Sequence, residues 1–243
     1  MYKRQKGGVG KSTVSSNIAA SIAELGFKVG LMDADIYGPS QPKMLGLAGS
    51  KVEILNKKIQ PKKIGNLSMM SMGMLFPEHE AIIWRGPMLM KAIQQLLLDV
   101  SWGDQDYFIV DLPPGTGDIH ITLAQKVLIS GAIVISTPQD MSLIDAKKAI
   151  KLFSKTNTKI LGLIENMSYF QCSKCGEKHD IFSNGGVKKI SESQNLPFLG
   201  NIPLLKEIMK CADNGTPYVS QNHQGKKLFS EIVKNIFKEL NTH

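Results

Sequence analysis

Three clusters of residues have the types and spacing of chemistry. The first is KGGVGKST, Lys6 to Thr13, which completes Gly-x-x-x-x-Gly-Lys-[Ser/Thr] except that Gln5 stands in place of the first glycine. In such a loop the glycines let backbone amides turn inward around a phosphate, so Gly7, Gly8, Val9 and Gly10 would form the cradle, with Ser12 and Thr13 opening the following helix. Lys11 would reach the β- and γ-phosphates, and the Ser12 hydroxyl would serve magnesium. The second cluster is acidic. KVGLMDAD delivers Asp33 and Asp35 to the end of an apolar run, and YFIVD ends in Asp111, a hard oxygen donor suited to Mg2+ held directly or through water. The glycines of PPGTGD, Gly115 and Gly117, allow a loop able to approach a terminal phosphate, while Asp118 reads equally well as a helix N-cap.

The third cluster is Cys172-Ser173-Lys174-Cys175. Two soft thiolates on one small turn suit iron, zinc or a redox disulfide. They are too few for a four-cysteine site, and the chain has only one further cysteine, Cys211. A symmetric dimer would bring two pairs together and supply four ligands. Two alternatives stand beside that one: a zinc knuckle that adds His179, and a redox thiol pair.

These residues need a scaffold that brings strand ends to a glycine loop. Apolar residues at helical spacing (Val14, Ile18, Ile22, Leu25) predict a helix over 12–25 capped by Gly26. A buried strand follows in KVGLMDAD. Residues 51–75 read as a hairpin turning near Asn56-Lys57 and then a strand, and Gly86-Pro87 starts a helix over 88–100. Strands at 107–111, 132–137, 160–165 and 198–202 then alternate with helices at about 119–130, 142–155, 186–195 and 224–241. That alternation predicts an α/β fold with a mostly parallel sheet, helices on both faces and ligands at the carboxyl ends of the strands. One domain over 1–243 is expected, with the Cys-x-x-Cys loop inserted near 168–182.

Composition narrows the partners. The chain has 243 residues and a formal charge of +8, which raises nucleic acid or anionic membrane as partners. Only Arg4 and Arg85 are arginines among 29 basic residues, whereas nucleic-acid readers rely on arginine's bidentate fork, so neither nucleic acid nor membrane is expected. No apolar run is long enough to span a bilayer, and three cysteines without a framework of pairs suit a reducing compartment, which together predict a cytoplasmic protein.

Lysine before the paired glycines makes KGGVGKST resemble the deviant phosphate loop of the dimerising P-loop ATPases, including the septum-site and chromosome-partitioning ATPases. Together with DADIYGPSQPKMLG, WRGPM, DLPPGTGDIHITLAQ, STPQD, ENMSYFQCSKCGEKHDIF and DNGTP, it makes the chain similar to the Mrp (ApbC) family of iron-sulfur cluster carriers. The resemblance implies a P-loop ATPase that binds ATP and Mg2+. It also implies that Lys6 reaches the partner's nucleotide across a homodimer, that Asp35 orients the attacking water and that Asn166 reads the adenine edge. Cys172 and Cys175 would share a bridging 4Fe-4S cluster with a second copy and pass it to apo iron-sulfur proteins. A MinD- or ParA-like positioning ATPase acting on membrane or DNA, with the cysteines as a zinc knuckle, is the competing reading. The resemblance also implies departures: Met209 stands where arginine is usual and Ser183 where glycine is. Only MYKRQ stands where the family carries a full strand before the loop, so the first strand is expected to be truncated.

Overall fold

The computed structural model describes residues 8–35, 38–75, 86–115, 123, 127–172, 174–221 and 223–242, with the side chains of 86 and 87 left aside. The expected truncated first strand and most of the helix expected at 119–130 lie outside these residues. The chain forms two compact units. One comprises Ser12–Pro114 and Lys210–Phe229; the other comprises Met1–Lys11, Gly115–Met209 and Ser230–His243.

In the first unit the helix Lys11–Glu24 begins directly after the glycine loop, and Val14 through Ile22 are all buried. Gly26, at φ 98°, takes the left-handed turn that ends the helix. Strand β1 (Val29–Asp33) follows, buried along its whole length as a central parallel strand must be. The short helix Gln41–Met44 comes next, then β2 (Glu53–Leu55) and β3 (Lys58–Gln60). These two pair antiparallel through Asn56 and Lys57, both at positive φ. A second hairpin joins β4 (Lys62–Ile64) to β5 (Leu67–Ser71), where a single strand was expected. After the helix Gly86–Leu98 comes β6 (Tyr107–Asp111). That helix stops short of the expected residue 100 because Val100 forms a bridge with Ile59. The sheet order is β4-β5-β1-β6, with β5 and β6 both parallel to β1.

The second unit carries β7 (Ala132–Ser136), the helix Asp140–Lys155, β8 (Ile160–Gln171), β9 (Lys178–His179), the helix Gly186–Ser193 and β10 (Phe198–Leu204). Its order is β10-β8-β7, all parallel, with β9 added antiparallel to β8. Val134, Ala146, Ile150, Phe153, Leu163, Val187 and Ile190 form its core, so both helices bury one face on the sheet. The strand expected at 160–165 runs on to Gln171, with Met167 at φ 55° along its course.

Helices Lys206–Asp213, Tyr218–Gln221 and His223–Leu240 complete the chain. The apolar stripe of the last one (Phe229, Ile232, Val233, Ile236) is buried, so this face is spent on packing. No described helix is long and apolar enough to cross a membrane.

Candidate functional site

In the first unit the parallel register sets Asp33 of β1 beside Ser71 of β5 and Asp111 of β6, all at the carboxyl ends of their strands. Asp33 is fully buried and Asp111 nearly so. Asp33 Oδ2 accepts from Ser71 Oγ at 2.9 Å and from the Gln41 amide at 3.3 Å, and Oδ1 accepts from the Asp35 amide at 3.1 Å. Burial, and next the charge of Asp111, push the Asp33 carboxyl up to about 7; the hydrogen bonds from Ser71, Asp35 and Gln41 oppose them. The Asp35 carboxylate accepts from the Gly38 amide at 3.2 Å.

Gln41 was not singled out by sequence. Its Nε2 donates to Asp111 Oδ2 at 2.8 Å, Ser15 Oγ at 2.8 Å and the Ser12 carbonyl at 3.0 Å, tying the first turn of the loop-borne helix to the acid of β6. Gln41 Oε1 is buried with no hydrogen-bond partner among the described residues. Buried carboxylates at neighbouring strand ends, next to an unpartnered amide oxygen, make a hard-oxygen donor set, so the residues present fit a magnesium ion.

In the second unit Gly8 and Gly10 have φ of 124° and 76°, values that a side chain disfavours. The Val9 carbonyl accepts from Asn166 Nδ2 at 2.8 Å. A Cβ on Gly10 would collide with that same Nδ2, so the loop is fitted closely to Asn166 of β8. Next to Asn166, the buried Glu165 carboxylate accepts from the Gly185 and Val187 amides at 3.3 and 2.9 Å. It thereby caps the helix Gly186–Ser193 and settles its charge on the helix N-terminus. Gly115 is exposed at φ 107°. Lys6, Gly7, Gly117 and Asp118 lie outside the described residues.

Further along β8 comes the cysteine pair. Phe170 and Gln171 pair with His179 and Lys178, so β8 and β9 form a hairpin with Cys172 and Cys175 in its turn. The Cys172 amide donates to the Glu177 carbonyl at 2.9 Å, and the Gly176 amide returns to the Cys172 carbonyl at 2.8 Å. Cys172 is half-buried and Cys175 exposed, with no disulfide between them. Hydrogen bonds from the Cys175 and Lys174 amides, and then from the Cys175 thiol, hold the Cys172 thiol below its ordinary value, which favours a thiolate ready to ligate. His179 Nε2 lies 3.7 Å from Glu177 Oε2, and its ring lies 6.3 Å from that of Phe170. No three His, Cys, Asp or Glu side chains among the described residues are grouped to hold a metal ion. Ser183, where the resemblance implied glycine, sits at φ 80°, a left-handed conformation that favours glycine.

A glycine loop feeding a helix, acids at parallel strand ends and an α/β framework define a P-loop NTPase with flanking helices on a mostly parallel sheet. Residues 3–240 match the family described as ParA: NUBPL iron-transfer P-loop NTPase, and the chain belongs to that family. It is 46% identical over 233 residues to an iron-sulfur cluster carrier protein of Aquifex aeolicus, covering 94% of this chain and 64% of the relative. The chain therefore spans less than two thirds of that relative's length. Among solved structures, a nucleotide-binding protein of Archaeoglobus fulgidus in complex with ADP matches at a TM-score of 0.77 and 35% identity, covering 90% of this chain and 86% of the other. The cell division ATPase MinD of Pyrococcus furiosus matches at 0.70 and 22% identity, covering 96% and 95%, a likeness of fold alone.

Proposed function

We propose that the chain binds and hydrolyses ATP and carries a 4Fe-4S cluster at a homodimer interface, passing it to apo-proteins. In this reading Gly7 through Thr13 hold the phosphates, Lys11 neutralises them, and Asp35 orients the attacking water. Lys6 acts on the nucleotide of a second copy, and Asn166 reads the adenine edge. Ser12 and Asp111 would hold magnesium, which when bound offsets the phosphate charge. Cys172 and Cys175 offer two thiolates to a cluster that needs four, and the same pair from a second copy supplies the rest.

The observation that carries this reading is the hairpin turn: amides aimed at Cys172 favour its thiolate, and no third ligand joins the pair among the described residues. Membership of an iron-transfer family supports it. The test is anaerobic reconstitution with iron and sulfide. Wild type is expected to bind about two irons per chain, as four shared by two copies requires, and Cys172→Ser to bind none. A wild-type chain that takes no iron, or a Ser variant that takes as much, overturns the cluster assignment; a chain that purifies as a single copy with one zinc supports a knuckle.

A further inference from the structure

Gln41 opens a four-residue helix between Ser40 and Pro42, a position where a glutamine ordinarily faces water, yet it is fully buried. The two hydrogens of its NH2 group are shared among three acceptors within hydrogen-bond distance, Asp111 Oδ2, Ser15 Oγ and the Ser12 carbonyl. Its carbonyl oxygen meets no donor among the described residues. Buried polar groups are almost always paired, so an orphan beside a candidate metal site asks for a donor. Turning the amide over does not help, because Oε1 would then face the Asp111 carboxylate, acceptor against acceptor. A hydrated cation meets the oxygen, since water bound to a divalent ion presents strongly polarised O–H donors.

We propose that Gln41 is a positioning residue for magnesium: its NH2 holds Asp111 in the pose that receives the ion, and its oxygen accepts a hydrogen bond from the ion's water. This rests on the reading of Ser12 and Asp111 as the residues that hold the metal. The Gln41 backbone amide also binds Asp33, and Gln41 shares a segment with Asp35, so arrival of the ion is felt by the loop that carries the acid assigned to the attacking water.

The test is calorimetric titration of the full chain with ADP, once with Mg2+ and once with EDTA. Wild type is expected to bind ADP more tightly with magnesium, and Gln41→Met, which keeps length and loses both polar atoms, to reduce that magnesium gain about tenfold. The readout is the ratio of the two affinities; a role in packing alone weakens both together and leaves the ratio unchanged. A Met variant with the wild-type ratio overturns the proposal. If wild type binds ADP with no magnesium dependence, the Gln41 role fails while the nucleotide site stands; if it binds no ADP, the site itself is misread.

Discussion

Asp33 is an acid that folding penalises. Burial first, and the nearby Asp111 charge second, raise its carboxyl from 3.8 to about 7, so the folded chain holds a proton there that the unfolded chain releases. The contribution of this group to stability is fully present below pH 3.8 and is lost as pH rises through about 7, above which it stays constant. For the metal-free chain, the stability of Asp33→Asn minus that of wild type should therefore rise between pH 4 and pH 8, by up to ~4 kcal/mol for a shift of about three units. Urea unfolding at both pH values measures it, and a difference that does not change with pH contradicts the shift. Asp33, Asp111 and the glycine loop were legible in the sequence because each announces itself locally, as a charge closing an apolar run or as glycines ahead of a helix. Gln41 was not. Its partners lie 26 and 70 residues away, and no local pattern encodes a polar side chain made internal by such distant neighbours.

At the scale of elements, the parallel strands were legible as short apolar runs, and the helices Asp140–Lys155 and Gly186–Ser193 were legible from their spacing. The extension of β8 was not, because Glu165, Asn166 and Ser168 break the apolar run. The second hairpin was missed for a similar reason: β4 carries two lysines in three residues and looks like a loop. The family's MLG and DNGTP segments acquire a physical meaning in the first unit, where Gly46 and Gly215 meet back to back at φ of 68° and 71°. A Cβ on Gly215 would lie 2.6 Å from Gly46 Cα and 3.0 Å from the Lys43 carbonyl, both backbone. Gly215→Ala is expected to cost about 2 kcal/mol or more, through the left-handed conformation and the forced backbone shift, seen as a lower thermal midpoint. A midpoint equal to wild type would mean the two glycines are not packed this way. Asn17 secures the same region from the loop-borne helix, donating to the Thr13 carbonyl at 2.8 Å and accepting from the Val219 amide at 3.1 Å.

At the scale of the whole molecule, two sulfurs per chain make assembly part of the proposed chemistry. Reconstituted wild type should sediment at about twice the single-chain mass, and Cys175→Ser treated identically should lose that doubling if the cluster holds the copies together. A wild-type chain that stays single while loaded with iron would separate cargo from dimer. In the proposed function the extended β8 links the nucleotide site to the cluster site. From Asn166, which grips the glycine loop, to Cys172 the backbone spans at most ~20 Å at about 3.3 Å per residue. One continuous ribbon of chain joins the two ends, a direct mechanical route between them.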